Sequence, residues 1–282
     1  MKCIVCRNQM SPFFSKTFNL FGLRDVEYWK CCGCGFVGSK THADMKACDW
    51  ETLNLDYHTT YQGRNHNEDD PRWLERLNSQ ARVINDLANL GLLKDDLPWL
   101  DWGCGDGKLS DLLEAKYALS LQRYEHCIQK EHYLFKTDLA ASRFGFVIST
   151  SVFEHVQDRI TLDGIEKLVA PTGVFGIHTL VAEEIPQDPS WFYLLPVHCS
   201  FFTNKSMQVL FEEWGYSSSV YQIDAQCWFC FKHEPDRVEK IIEAANLRAG
   251  REKLRYIFKR GFLDYWKLST KDILLRSASA KW

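Results

Sequence analysis

The sequence predicts an α/β architecture: a doubly wound, mostly parallel sheet that closes on an antiparallel hairpin. Three observations predict it. Short apolar runs alternate with segments of helical periodicity from about residue 73 to residue 202, the pattern of a parallel sheet covered on both faces. A glycine-rich turn, Asp101-Trp102-Gly103-Cys104-Gly105-Asp106-Gly107, follows the first of these runs and opens a helical segment. Two strand-like runs, Tyr216 to Ile223 and Gln226 to Lys232, then succeed one another with no helix between them.

The chain has 282 residues, 45% of them hydrophobic, which is enough for one full-sized core with smaller modules at its ends. No apolar run approaches the roughly 18 residues of a membrane span, and the start, Met1 to Asn8, is too polar for a secretion signal. A cytoplasmic location is expected. The 11 cysteines are then expected to be reduced, so cysteine pairs point to metal before disulfide. Net charge is −3, but residues 235 to 282 carry 12 Lys and Arg against 6 Asp and Glu, leaving an acidic body. An acidic body argues against a nucleic-acid substrate.

Taken in order, residues 1 to 40 contain Cys3-x-x-Cys6 and Cys31-x-x-Cys34, separated by 24 residues, with Gly33 and Gly35 freeing the second turn. Four thiolates on two tight turns suit tetrahedral zinc at about 2.3 Å per bond, and a four-cysteine site is closed and structural. The module reads as a small zinc ribbon, with Cys31-Cys32 leaving open which of the two sulfurs is used. Residues 41 to 72 are polar and read as a linker or a lid bearing Tyr57, His58 and Tyr61. The core spans 73 to 234. Its first helix follows Trp73, Leu77, Ala81, Ile84, Leu87 and Leu90, with Gly91 as the C-terminal cap. Trp99 to Trp102 is a strand, and Leu109, Leu112, Leu113 and Tyr117 line the next helix.

Further strands are expected at Ala118 to Tyr124, Tyr133 to Phe135, Phe144 to Ser149 and Val174 to Val181, with a helix through Leu162, Ile165, Leu168 and Val169. Thr203 can cap a helix carrying Met207, Leu210, Phe211 and Trp214, which Gly215 ends. In the hairpin that follows, turning at Asp224-Ala225, Cys227 and Cys230 read as ordinary strand cysteines. From Pro235 onward, helices are expected to fill the tail. Its basic and aromatic residues, among them Arg251, Lys253, Tyr256, Lys259 and Trp266, form either a face docked on the domain or a peripheral contact with anionic lipid.

Glycines at 103, 105 and 107 let the backbone turn tightly, expose N–H groups and admit a ligand closely. A dinucleotide fingerprint wants glycine where Lys108 stands, which disfavours hydride chemistry. A phosphate loop wants a hydroxyl after Gly107-Lys108, where Leu109 stands, which disfavours ATP hydrolysis. Eighteen residues past Gly107, Glu125 can accept both hydroxyls of a ribose.

With Val152-Phe153-Glu154-His155-Val156 and the final hairpin, these residues resemble the class I S-adenosylmethionine (SAM) methyltransferases over about residues 73 to 233. The resemblance implies a seven-stranded Rossmann-like sheet. It also implies a SAM site in which Asp101, Gly103, Cys104, Gly105 and Gly107 hold the methionine end and Glu125 the ribose. Asp138 and Leu139 would border the adenine, and Ser149 would close the fourth strand beside them. Gly145 departs from the acidic residue usual at that strand's start. The cysteine module followed by this core is similar to methyltransferases of bacterial sugar and polysaccharide gene clusters.

Methyl transfer is an in-line displacement from a sulfonium, and an alcohol acceptor must also lose a proton. His198, His155 and Glu154 are the candidates for that work, each histidine with a packed, backbone-bonded role as the alternative. The expected activity is methylation of oxygen on a small molecule, such as a nucleotide-linked or lipid-linked sugar. One rival is an RNA or protein methyltransferase recruiting substrate through ribbon and tail. Against it, Ser149-Thr150-Ser151 lacks the Asn/Asp-Pro-Pro-aromatic pattern of base-amine methylation. The other rival is a SAM-fold binding protein without turnover.

Overall fold

The computed structural model describes residues 1–61, 71–140, 142–248 and 256–264. Three antiparallel strands come first, β1 (Met10–Thr17), β2 (Asp25–Cys31) and β3 (Val37–Ser39), then helices α1 (Lys40–Ala43) and α2 (Ala47–Tyr61). Helix α2 occupies the stretch expected to be a linker. Leu53 and Tyr57, four residues apart, are buried and pack with Val197, which gives this polar segment the apolar seam a helix needs. Residues 62–70, with the acidic run ending at Asp70, lie outside the described residues.

Helix α3 (Pro71–Asn89) buries the expected stripe of Leu77, Ala81, Ile84 and Leu87. Gly91, at φ +69°, ends it in a Schellman turn in which the Leu92 amide donates to the Leu87 carbonyl over 2.9 Å. The core continues with β4 (Trp99–Trp102), α4 (Lys108–Tyr117), β5 (Gln122–Tyr124), α5 (Lys136–Ala140) and β6 (Phe144–Thr150). A single 3-10 turn at Phe153–His155 leads to α6 (Arg159–Glu166), β7 (Val169–His178), β8 (Val181–Ala182) and β9 (Ser200–Thr203). Then come α7 (Asn204–Glu213), β10 (Ser218–Gln222), β11 (Cys227–Phe231), α8 (Pro235–Arg248) and β12 (Tyr256–Arg260).

The main sheet has seven strands in the order β12-β10-β11-β7-β6-β4-β5. Strands β5, β4, β6 and β7 are parallel, whereas β11, β10 and β12 are antiparallel, so the sheet is mixed rather than mostly parallel. Two departures from expectation produce this. Tyr133 to Phe135 forms no strand and leaves one parallel bridge, Arg123 with Tyr133, because Asp138 draws the Phe135 amide into the start of α5. The described end of the tail is not helical: β12 pairs with β10, placing Tyr256 opposite Gln222, and Tyr256 is buried in the core. The rest of the basic tail, residues 249–255 and 265–282, lies outside the described residues. Among the described residues no helix is long and apolar enough to cross a membrane.

Apolar side chains fill both faces of this sheet. Cys227 packs on one face and Cys230 on the other, the roles expected of ordinary strand cysteines. The N-terminal strands do not stand alone. They continue into a second sheet, β1-β2-β3-β9-β8, in which Val37 pairs with Phe201 and Gly38 with Ser200 across the boundary expected at residue 40.

Candidate functional site

Asp101, the third residue of β4, is 1% exposed, and its Oδ1 atom has no hydrogen-bond partner. Burial, reinforced by nearby Glu125 and opposed by Arg123, pushes its carboxyl up to about 7. The glycine loop leaves β4 with φ values of +76° at Gly103, +53° at Gly105 and +82° at Gly107, all in the left-handed region. A side chain at Gly103 would strike Val152, at 2.5 Å, so that glycine lets the loop pack on the segment after β6. At Gly105 a side chain would meet nothing within 4 Å. That open space lies where the α4 N-terminus starts.

Glu125 follows β5 and braces the loop: its Oε2 accepts the Gly105 amide at 2.8 Å and its Oε1 accepts the His126 amide at 2.8 Å. Tyr133 donates its hydroxyl to the Gly105 carbonyl over 2.9 Å. Cys104 is half-buried, and burial pushes its thiol up. Ser149 in β6 is wholly buried with its Oγ unpartnered. Leu139 on α5 is buried, whereas Asp138 is exposed and spends its carboxylate accepting the Phe135 amide at 2.7 Å.

The structure brings the three candidate reactive residues together. Ligating atoms of Glu154, His155 and His198 all lie within 4.8 Å of one another. Glu154 is 2% exposed; its oxygens accept the Tyr193 and Thr179 hydroxyls, each at 2.8 Å. His198 donates from Nδ1 to the Tyr193 carbonyl over 2.8 Å, which leaves Nε2 with its lone pair. His155 packs against His198 on one side and His58 on the other, with ring centroids 4.9 Å and 5.2 Å away. Its Nδ1 is shut off from solvent without a hydrogen-bond partner. Burial, then the His198 and His58 rings, hold His155 well below the ordinary imidazole value, and burial lowers His198 too. Both rings are neutral at pH 7. His58 and Tyr57, expected in a linker or lid, sit on α2, with Tyr57 buried.

The loop that carries His198 is tied to the N-terminal strands. The Cys199 amide donates to the Glu154 carbonyl, and the Ser39 amide to the Cys199 carbonyl, both over 2.8 Å. His42, fully buried, donates from Nε2 to the Pro196 carbonyl at 2.9 Å and accepts the Ser39 hydroxyl at Nδ1 over 2.6 Å.

Cys3, Cys6, Cys31 and Cys34 converge with their sulfurs within 4.8 Å of one another. The Cys3–Cys34 separation is 3.6 Å and the Cys6–Cys31 separation 3.4 Å, far too long for disulfides and near the edge of a zinc–thiolate tetrahedron. Amides of Val5 and Gly33 donate to Cys3 and Cys31 sulfurs, each at 3.4 Å. Cys32 is exposed and donates to the Gln9 carbonyl, so Cys31 is the inward member of that pair. Cys3 is pulled down to about 6 by its contact with Cys34.

One charged residue of this edge escaped the sequence reading. Arg76 on α3 donates from a terminal nitrogen to His178 Nε2 over 2.8 Å, while its Nε is buried without a partner. In sequence it resembles a surface arginine. The available signal is its place three residues from Trp73 and four from buried Gln80, at the margin of the apolar stripe.

A methyltransferase domain model matches residues 72–218, which is more than half of the chain. The chain therefore belongs to that methyltransferase family, and it is a SAM-dependent methyltransferase with a Rossmann-like fold. Solved structures resemble it distantly. One is the plantazolicin methyltransferase BpumL in complex with a triazolic desmethylPZN analog and S-adenosylhomocysteine (SAH), at 13% identity, TM-score 0.44, covering 75% of this chain and 95% of that one. Another is Streptomyces venezuelae DesVI, at 13% identity, TM-score 0.41, covering 64% and 98%. A third is the magnesium protoporphyrin IX methyltransferase of Synechocystis PCC 6803 with bound SAH, at 14% identity, TM-score 0.42, covering 65% and 100%. No curated protein sequence matches the chain. The loop fits such a cofactor: there is open space beside Gly105, and the Asp101 and Glu125 carboxylates lie close to it.

Proposed function

We propose that this chain transfers a methyl group to an oxygen of a small-molecule acceptor, a sugar or related metabolite of glycan or secondary biosynthesis. The carrying observation is the meeting of Glu154, His155 and His198 beyond β6, at the carboxyl edge where open α/β sheets bind ligands. In this reading Asp101, Gly103, Cys104, Gly105 and Gly107 hold the methionine end of SAM. Glu125 takes the ribose, while Asp138, Leu139 and Ser149 border the adenine side. SAM supplies an electrophilic methyl on a sulfonium. With SAM bound, methyl transfer to the acceptor oxygen would release SAH, and His155 Nδ1, unpartnered and neutral, would take the acceptor's hydroxyl proton. His198 lies beside it with a free Nε2, and Glu154, held by two hydroxyls, balances the developing imidazolium.

Zinc on Cys3, Cys6, Cys31 and Cys34 is part of the proposal, in a structural role, since a closed four-cysteine site leaves no open position. In this proposal residues 73–234 form the catalytic core, preceded by the cysteine module at 1–40 and the segment 41–72 and followed by the basic tail from 235. The test is mass spectrometry of a panel of metabolites and sugar nucleotides incubated with protein and SAM. A product heavier by one methyl group supports the reading. SAH binding without any methylated product across the panel overturns this acceptor class.

A further inference from the structure

Arg76 is a half-buried cation that, among the described residues, has no carboxylate partner. Guanidinium stays charged at all ordinary pH values and presents a planar fork of donors. In this chain one arm of the fork reaches His178 Nε2, 2.8 Å away, and Nε has no partner. His178 is itself fixed, donating from Nδ1 to the Gln226 carbonyl at 2.7 Å, and burial with the adjacent Arg76 charge lowers it to about 3. The partner of Arg76 is thus a neutral ring. Among the described residues no carboxylate forms an ion pair with it, and Glu154, whose field reaches Arg76, has its oxygens taken by Tyr193 and Thr179. A guanidinium drawn partly out of water onto a neutral partner keeps donors that an anion can use.

Position decides which ligand. His178 ends β7, opposite Thr150 of β6, whereas the glycine loop leaves β4 on the far side of β6. Cys227, Glu154 and Tyr193 are the titratable groups whose charge reaches it, and the last two belong to the cluster around His155 and His198, on the acceptor side of the proposed site.

We infer that Arg76 anchors the acceptor, and that the molecule methylated by this chain carries a carboxylate or phosphate which the Arg76 fork grips. The inference rests on the acceptor reading above and narrows it to an anionic class, for which bidentate arginine contacts are well suited.

The test uses the full chain saturated with SAH, with malonate and pyrophosphate as probes against chloride at matched ionic strength, read by calorimetry and thermal unfolding. Either probe should bind saturably to the unaltered protein, and Arg76→Gln should weaken it tenfold or more, with Arg76→Lys in between. Preference for malonate assigns a carboxylate, and preference for pyrophosphate assigns a phosphate. Unchanged probe binding in a folded Arg76→Gln protein, or no saturable probe binding to the unaltered protein, overturns the inference. A second arm compares SAH with 5′-methylthioadenosine, which lacks the carboxylate. If Arg76→Gln weakens SAH alone, Arg76 serves the cofactor and the inference falls. Failure of the unaltered protein to bind SAH would instead remove the methyltransferase reading, and the two failures are separable.

Discussion

Thr203 donates its hydroxyl to the Cys34 carbonyl over 2.6 Å, and the same oxygen accepts the Ser206 amide that begins α7 at 3.1 Å. One side chain therefore joins the cysteine cluster to a helix of the methyltransferase core. Thr203→Val keeps the shape and the extended backbone while removing both bonds. It should destabilise the protein by about 2 kcal/mol, the sum of a lost cap and a buried carbonyl left unpaired, checked by urea denaturation.

If the four cysteines hold zinc as proposed, Cys3→Ser should abolish stoichiometric metal and lower the thermal midpoint, because the ion would contribute folding energy to the N-terminal strands. Cys32→Ser should do neither, since Cys32 faces solvent. Metal analysis of the two purified variants checks the contrast, and equal zinc in both would remove the site.

Gly105→Arg should leave a folded protein, because the position has open space, with a backbone penalty of about 1 kcal/mol for a side chain at positive φ. The arginine then fills the space assigned to the cofactor. Calorimetry should show SAH binding weakened at least a hundredfold, and retained affinity would contradict the assignment.

His155→Asn should cut turnover by roughly 10²- to 10⁴-fold, the usual contribution of a general base, while SAH still binds. The active form of His155 is unprotonated, and its surroundings hold it well below 6.5, so turnover should persist as pH falls through that value. A pH–rate profile whose acid limb sits at or above 6.5 would argue against His155.

Acid should also unfold this protein in a specific way. His42 is lowered to about 4 by burial, against 6.5 in an unfolded chain, so between those pH values the unfolded state binds more protons. Stability contributed by the neutral ring is present above 6.5 and falls as pH drops towards 4, by up to about 1.4 kcal/mol per pH unit. His178, lowered to about 3, acts in the same direction. Denaturation midpoints at pH 7 and pH 5 should differ, and the difference should shrink in His42→Gln.

Features that depend on local chemistry were legible from residue order. Gly91 and Gly215 adopt the positive φ expected of helix ends, Thr203 caps α7, and the glycine loop turns where its spacing says it must. The four cysteines also meet as their spacing predicts. What escaped depends on partners distant in sequence. Strand β12 exists because β10 offers an edge, a fact that residues 256–260 do not carry. The helix at 47–61 is stabilised by Val197, and β3 is completed by β9, both remote. In the site, Glu154 and His155 follow β6 in a way the sequence reveals. The neutral tautomer of His198 depends on the Tyr193 carbonyl, which only the folded loop presents.

The pairing of β3 with β9 also governs how the chain can be dissected. Cutting before residue 40 would strip β9 of its β3 neighbour, leaving it paired with β8 alone, and would bare the buried ring of Phe201 along the new edge. Such a flat apolar edge recruits other chains. A fragment trimmed to its catalytic core should therefore precipitate or self-associate, with the N-terminal strands acting in the full chain as a molecular selvage along that edge.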